Sequence, residues 1–325
     1  MTNVLLVGAG RMGLRHLSGV AKEADEITVV YHHQKVDDVV QQVLEDSGFE
    51  GKANVVPSIE TAATHGAKFD AAILTATAEI RAERFGKVIS LEIPHILIEK
   101  PLEQSRENVL RMHALGKTVR SDIRCNHPYR EQSIFADFRR SDSAVHITVN
   151  AGAIGLACGG IHWIDLALFL SGSATGRFVF GMLDRTPIGS GRGRQFQDFG
   201  GCGFFEFDNG SSLFLQVDAN SSAPVVCVVT QEHRQLVIDY LNGGASVHQR
   251  AGTVDSPNYL YGKGYVSRKD SDFTNIDLSA QTGLWLQHVK GMRASQLPTL
   301  DEAVQGHELL FDLLETGGAN QFPIT

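Results

Sequence analysis

The 325-residue sequence contains few cysteines and no long apolar run, and each scarcity excludes a class of protein. Its four cysteines are Cys125, Cys158, Cys202 and Cys227. They are scattered and form no Cys-x-x-Cys pair, which argues against a disulfide framework or a zinc motif and is typical of a reducing cytoplasm. No apolar run approaches 18 residues, so the sequence predicts no membrane-spanning helix. We therefore expect a cytoplasmic protein without a membrane partner or a metal site.

Positive charge is also scarce. Lys and Arg number 29 against 37 Asp and Glu, which gives a formal net charge of −8, and there is no basic block. This balance argues against nucleic acid or an anionic membrane surface as a partner. The first residues, MTNVLLVGAG, lack a basic leader and a small-residue cleavage site. We expect them to form a buried strand and not an export signal.

The first 120 residues alternate short apolar runs with segments of helical periodicity. The runs are NVLLVG, EITVV, DAAILTA and HILI, and segments such as MGLRHLSGVAKEA and AEIRAERFGKVISLE separate them. Such alternation is typical of βαβ units and of a parallel, doubly wound sheet. The fold class predicted for residues 1–122 is therefore α/β, of the Rossmann type.

A glycine-rich turn, VGAGRMG, joins the first predicted strand to the first predicted helix. Gly8, Gly10 and Gly13 have the G-x-G-x-x-G spacing in the strand-to-helix context of a dinucleotide site. Gly8 permits the tight turn, Gly10 lets a pyrophosphate approach the backbone, and Gly13 lets the helix pack closely. The alternative, a tight turn that binds nothing, stays open at this point.

The end of the second predicted strand lacks the acidic residue that usually holds the adenosine ribose of NAD. The sequence there is Tyr31-His32-His33-Gln34-Lys35. His33 and Lys35 could contact the 2′-phosphate of NADP, or these residues could be solvated loop residues. The sequence therefore leaves NAD and NADP open.

Two further segments carry residues suited to proton chemistry. Glu99-Lys100-Pro101 follows an apolar strand, although such a tripeptide is usually a surface turn. In CGGIHWID (158–165), a helix would place Cys158 and His162 one turn apart, with Asp165 further along the same face. On this evidence alone, His162 could equally be a core histidine.

Taken together, VGAGRMG, ILIEKPL, GGIHWIDLALFL and the final LPTLDEAVQGHELLFDLLETG resemble the glucose–fructose oxidoreductase / inositol dehydrogenase / rhizopine-catabolism family. The resemblance covers essentially the whole chain. It implies a second, α+β domain at 123–325 with an open, mainly antiparallel sheet, and a C-terminal helix (about 300–316) that packs back on the first domain. FFEFDNGSSLFLQVD is the clearest hairpin of this part. The resemblance also implies a homodimer or homotetramer.

The resemblance implies roles for individual residues. Lys100 binds the reacting oxygen and His162 donates or accepts the proton. The expected cofactor residues are Gly8, Gly10, Arg11, Met12, Gly13, His32, His33, Thr75, Glu99 and Lys100. Asn126, Cys158 and Asp165 are expected on the substrate side, and Asp165 more as a support for the helix. The cofactor is NAD or NADP, and the substrate is a small polyol or sugar.

Three features depart from the family pattern or from regular structure. Cys158 stands where many relatives carry an aspartate, so the proton relay must differ or use another group. Arg81 stands where relatives often carry a histidine, and we expect a solvated helix residue or a contact to an anionic substrate. The Gly/Arg-rich segment 185–201 is expected to be a lid or a mobile excursion. The function predicted is that of an NAD(P)-dependent oxidoreductase of a sugar, nucleotide sugar or cyclitol. The alternative is a non-catalytic dinucleotide-binding sensor.

Overall fold

A computed structural model describes residues 1–31, 37–64, 68–139, 143–152, 154–190, 193–240, 243–250, 265–272, 277–319 and 322–325. The chain divides into two compact units that alternate along the sequence. The first takes in Met1–Glu131, Ile276–Glu308 and Asn320–Thr325, and the second takes in Gln132–Asn275 and Leu309–Ala319. The domain limits predicted from the sequence, 1–122 and 123–325, are continuous, whereas these compact units are not.

The first unit is built on a six-stranded sheet in which every neighbouring pair is parallel. Its strands are β1 (Asn3–Val7), β2 (Glu26–Val30), β3 (Lys52–Val56), β4 (Ala71–Leu74), β5 (His95–Ile98) and β6 (Asp122–Cys125), in the order β3-β2-β1-β4-β5-β6. This order places the switch of direction between β1 and β4, where doubly wound sheets bind ligands. The predicted Rossmann-type sheet is confirmed.

Helices cover this sheet because their apolar residues recur on one face. They are α1 (Arg11–Val20), α2 (Asp37–Asp46), α3 (Ile59–Thr64), α4 (Ala78–Ile89), α5 (Arg106–Gly116) and, from late in the chain, α8 (Leu278–Val289) and the first part of α9 (Leu300–Leu314). Leu17 and Val20 of α1 share one buried core with Trp285 and Leu286 of α8. Among the described residues, no helix combines the length and apolar character needed to span a bilayer.

The second unit contains an eight-stranded mixed sheet in the order β16-β15-β14-β13-β7-β12-β11-β8. The strands are β7 (His146–Gly152), β8 (Gly176–Leu183), β11 (Gly201–Phe207), β12 (Ser212–Asp218), β13 (Val226–Gln231), β14 (Arg234–Asp239), β15 (Gly244–Arg250) and β16 (Tyr265–Asp272), with β9 (Ile188–Gly189) and β10 (Gln197–Asp198) paired separately. Every neighbouring pair is antiparallel except β7 and β12. The predicted mainly antiparallel sheet is confirmed, and the predicted hairpin is β11–β12, with Phe204 opposite Phe214.

The two faces of the eight-stranded sheet differ in burial. The short helix α6 (Ala136–Arg139) and the apolar α7 (Gly160–Ser171) belong to this unit, and α7 lies against the buried residue Leu215 of β12. Among the residues that point to the other face, five are register partners in a row across neighbouring strands. This row, named here the open face, consists of Phe180, Phe204, Phe214, Thr148 and Val228. Each of these side chains is partly or fully exposed.

Candidate functional site

The glycine turn has the geometry that its sequence predicts. Gly8 directly follows β1 with φ of +110°, in the region that favours glycine, and its amide donates a hydrogen bond to Val30 O (3.1 Å). A Cβ on Gly13 would lie 2.0 Å from Gly8 O, so the start of α1 can approach the turn only without a side chain there. Gly8 and Gly13 therefore fix the shape of the turn.

Gly10 differs from its neighbours because it faces open space. Among the described residues, no heavy atom comes within 4 Å of the place that its Cβ would take. It is the N-cap of α1, and none of these residues caps the helix with a side chain. The first amides of α1, from Arg11, Met12 and Gly13, are therefore available to an anion, and the helix dipole favours one. This open cradle fits the pyrophosphate of a dinucleotide.

The Thr75 side chain forms hydrogen bonds with the backbone of this turn. Its hydroxyl lies 2.7 Å from Gly8 O and 3.1 Å from Val7 O, and its single proton can be donated to one of these carbonyls. Thr75 therefore ties the end of β4 to the glycine turn. The predicted contacts of His32 and His33 lie outside the described residues.

Glu99, at the end of β5, is the centre of a buried polar network. Its Oε1 lies 2.9 Å from His16 Nε2 and accepts from Asn126 Nδ2 at 2.5 Å, and Oε2 accepts from the Lys100 amide at 3.2 Å. His16 Nδ1 lies 2.8 Å from Thr282 Oγ1. Burial by itself raises the pKa of Glu99. The hydrogen bond from His16 and the charges of His16 and Lys100 outweigh this effect and lower the pKa to about 2. Glu99 is therefore an ionised anchor between α1, β5 and α8.

Lys100 and Asn126 lie at the carboxyl edge of the parallel sheet. Lys100 is 7% exposed, and its peptide bond to Pro101 is cis. The Asn126 amide donates to Ile98 O at 2.8 Å, while its side chain binds Glu99. Next to them, burial and the charges of Arg130 and Lys100 hold the pKa of His127 well below its usual range. The structure thus brings Glu99, Lys100 and Asn126 together at this edge.

Arg81 is not a solvated helix residue, and that expectation is wrong. It is 1% exposed and donates from Nε to Ala76 O at 3.0 Å and from Nη1 to Pro101 O. Its position near the start of α4 directs the guanidinium inward, where backbone carbonyls satisfy its donors. Arg81 therefore holds the backbone that follows Lys100.

In the second unit, α7 carries two of the predicted residues. His162 lies in its first turn and is half-buried, whereas Asp165 is 1% exposed. The burial of Asp165 agrees with a supporting role inside the unit. The helix that would place Cys158 one turn before His162 begins only at Gly160. Cys158 instead lies in the turn that precedes the helix.

A carboxylate from elsewhere in the chain holds this turn. Asp198 Oδ1 accepts from the Ala157 amide at 2.8 Å, and its Oδ2 accepts from the Cys158 amide at 2.9 Å. Asp198 is 3% exposed, and Phe196 beside it is equally buried. Residues 196–198 of segment 185–201 are therefore anchored and are not a mobile excursion.

Two residues of these networks, His16 and Asp198, are not predicted from the sequence. His16 lies on the same face of α1 as the buried residues Gly13 and Val20, so a polar residue at an inward-facing helical position was its signal. Asp198 follows the apolar Phe196 within a segment of weak periodicity, and no pattern connects it with a turn 40 residues earlier.

Comparison with known proteins supports the fold. No protein-family model and no curated protein sequence matches the chain. Among solved structures, UDP-N-acetylglucosamine 3-dehydrogenase GnnA from Acidithiobacillus ferrooxidans is similar, with 17% identity over 96% of this chain and 95% of that one (TM-score 0.68). GenD2 from gentamicin A biosynthesis, in complex with NAD, shares 15% identity over 98% and 95% (TM-score 0.68). Levoglucosan dehydrogenase shares 14% over 100% and 99% (TM-score 0.68). The chain therefore has the fold of the oxidoreductases that its motifs resemble.

Proposed function

We propose that this protein is an NAD(P)-dependent oxidoreductase that transfers hydride between the nicotinamide and a hydroxyl or keto carbon of a sugar, nucleotide sugar or cyclitol. The observation that carries the proposal lies in the first unit. The open cradle at Gly10 and Lys100 both follow strands at the carboxyl edge of the sheet. His16 of α1 bonds Glu99, whose Oε2 accepts from the Lys100 backbone amide. This combination provides both a phosphate site and a cation for the reaction.

The proposed chemistry assigns one task to each residue. Bound NAD(P) supplies the hydride acceptor or donor. The Lys100 ammonium stabilises the negative charge that develops on the substrate oxygen. His162 accepts the hydroxyl proton in oxidation and returns it in reduction, because imidazole exchanges protons near neutral pH. Asn126 and Asp165 position these groups.

The names of similar structures support the substrate class. One is a dehydrogenase of UDP-N-acetylglucosamine, and another is a levoglucosan dehydrogenase. Both names describe oxidation of a carbohydrate, which agrees with a histidine and a lysine as the reacting side chains. NAD and NADP remain equal candidates, because the residues that would contact the 2′ position lie outside the described part of the chain.

A titration and a substrate panel test the proposal. NADH and NADPH fluorescence measures binding, and absorbance at the reduced-nicotinamide band follows turnover with sugars, nucleotide sugars and cyclitols. Lys100→Ala and His162→Ala should each lower kcat by about 100-fold or more and leave dinucleotide affinity within a few-fold, as expected for loss of acid–base or oxyanion groups. Lys22→Ala and His233→Ala, at exposed positions, serve as matched controls. Binding without turnover of any compound would favour the sensor alternative and reject hydride transfer.

We also propose that the protein forms a homodimer or homotetramer through the open face of the second unit. Phe180 is 54% exposed and Met182 is 65% exposed, and Phe180 stacks on Phe204 with ring centroids 5.4 Å apart. Contiguous exposed apolar residues of this kind mark interaction surfaces. In a two-fold symmetric dimer, the same surface of both copies meets, so the row of one chain would cover the row of the other.

A further inference from the structure

A cluster of two histidines and one aspartate lies at the amino-terminal edge of the six-stranded sheet, the edge opposite to the glycine turn. His95 begins β5, Asp122 begins β6, and His288 lies in the last turn of α8. One ligand atom from each residue lies within 4.8 Å of the others. The sequence predicted no metal site, because Asp122 and His288 are separated by 166 positions and no motif joins them.

Rigid elements hold the three residues in place. His95 and Asp122 are direct partners in the parallel register of β5 and β6, so their side chains leave the sheet side by side. Trp285 and Leu286 anchor α8 in the same core as Leu97 of β5. The cluster therefore exists before any ion binds, as a metal site on regular elements requires.

His288 is oriented as a metal ligand. Its Nδ1 lies 3.3 Å from the Arg293 carbonyl oxygen, and its Nε2 lies 2.7 Å from Asp122 Oδ2. A carbonyl can only accept a hydrogen bond, so Nδ1 carries a proton. Nε2 is then the nitrogen that faces Asp122 and is placed to ligate an ion shared with that carboxylate. A backbone carbonyl behind the ligating imidazole is the usual outer partner of a metal-bound histidine.

His95 places a second imidazole nitrogen near the same oxygen, Asp122 Oδ2. Its Nδ1 is buried, has no hydrogen-bond partner in the described part of the chain, and lies 3.8 Å from Asp122 Oδ2. The rings of His95 and His288 are 5.7 Å apart between centroids and nearly perpendicular. Two imidazoles on one tetrahedral Zn²⁺, with bonds near 2.0–2.1 Å, place their centroids about 5 Å apart. Small side-chain rotations therefore bring both nitrogens to one ion.

The charges around the cluster determine what kind of ion fits. Asp122 supplies an oxygen that faces both imidazoles, with Oδ2 2.7 Å from His288 Nε2 and 3.8 Å from His95 Nδ1. Arg124 Nε donates to Asp122 Oδ1 at 2.7 Å, which leaves Oδ2 for the ion. Two nitrogens and one oxygen suit Zn²⁺ and similar transition metals, whereas Mg²⁺ and Ca²⁺ prefer oxygen ligands alone. The positive charge of Arg124 limits the affinity.

We propose that His95, Asp122 and His288 bind one divalent transition metal ion of the zinc class, which links β5, β6 and α8 and leaves a coordination position for water. The three side chains are between 18% and 27% exposed, so an ion reaches them from solvent. This site is separate from the proposed dinucleotide site and does not depend on it.

Calorimetric titration of chelator-stripped, tag-free protein with Zn²⁺ tests the proposal. We expect one ion per chain and a higher melting temperature with Zn²⁺. In His95→Gln, His288→Gln and Asp122→Asn, the Zn²⁺ affinity should be at least about 100-fold weaker. Loss of a group that only supports a ligand already weakens metal affinity by about 10–100-fold, and these three side chains are the ligands themselves. His113→Gln is the matched control, because His113 Nε2 also faces a carboxylate, that of Asp301, at 2.6 Å. Cys158→Ser and Cys202→Ser exclude a thiolate site. These three control variants should bind as the wild type does.

The absence of saturable Zn²⁺ binding, or equal binding by wild type and both histidine variants, would overturn the proposal. X-ray absorption of the Zn²⁺-loaded wild type gives a second test that needs no variant. We expect two imidazole nitrogens and only nitrogen or oxygen in the first shell. A sulfur ligand, or a single imidazole, would contradict the assignment.

Discussion

Alanine at two glycines of the same turn should impair different properties: Gly13→Ala should lower the stability of the fold, and Gly10→Ala should weaken dinucleotide binding. In Gly13→Ala, the new Cβ would lie 2.0 Å from Gly8 O, over an ångström closer than an ordinary contact. Overpacking of this kind typically costs about 1–3 kcal/mol, and the gain in helix propensity of about 1 kcal/mol offsets only part of it when the obstacle is backbone. We expect a net loss of about 1–2 kcal/mol in the free energy of unfolding, toward the upper end because the obstacle is the Gly8 carbonyl.

Gly10→Ala should leave the fold intact and impair the cofactor site. Gly10 has φ of −74°, which alanine adopts without strain, and the place of its Cβ is open. The change in stability should stay within about 1 kcal/mol, because only an N-cap preference is altered. The added methyl group occupies the space that the pyrophosphate needs, so dinucleotide affinity should fall about tenfold or more, or about 1.4 kcal/mol.

Urea unfolding and NADH fluorescence titration measure the two effects on the same samples. We expect Gly10→Ala to be stable but to bind the dinucleotide poorly, and Gly13→Ala to be destabilised. Wild-type affinity in Gly10→Ala would show that phosphates do not use this turn. Wild-type stability in Gly13→Ala would show that the approach of α1 to Gly8 is not tight.

Three further predictions concern other parts of the molecule. Glu99 has a pKa of about 2 in the folded protein against 4.5 ordinarily, so it contributes about 3 kcal/mol of stability above pH 4.5, which is lost as the pH falls toward 2. His16→Gln should remove much of this contribution at pH 7, and the difference from wild type in urea unfolding should shrink as the pH falls below 4.5; a constant difference would contradict the network. Phe180→Glu should shift the protein toward the monomer in light scattering, with Glu79→Ala as the exposed control, and an unchanged mass would exclude the open face as the interface. Cys158→Asp, which restores the carboxylate of the family pattern, should raise kcat if the thiol limits proton transfer; an unchanged rate would show that another group performs that task.

The strands and helices of the first unit follow from local pattern. Fully apolar runs such as Leu5–Leu6 and Ile96–Ile98 can be buried on both faces only within a covered parallel sheet, so the pattern alone indicates their place. The glycine turn is equally local, because steric limits at Gly8 and Gly13 act within a few residues. These features were predicted correctly.

The missed features depend on contacts between distant parts of the chain. His16 meets Glu99 and Thr282, which lie 83 and 266 positions away, and Asp198 meets the turn before α7 from 40 positions away. The charge of Arg81 predicts a surface residue, yet the carbonyls of Ala76 and Pro101 accept its hydrogen bonds and make its burial favourable. Such partners become evident only when the chain is folded.

The central claim is tested most directly by a crystal structure of the protein with NAD⁺ or NADP⁺ bound. We expect the pyrophosphate to lie over the open position of Gly10, within hydrogen-bond distance of the amides of Arg11, Met12 and Gly13. Lys100 Nζ should lie beside the nicotinamide end of the cofactor. A dinucleotide bound elsewhere, or a glycine turn that stays empty at saturating cofactor, would contradict it.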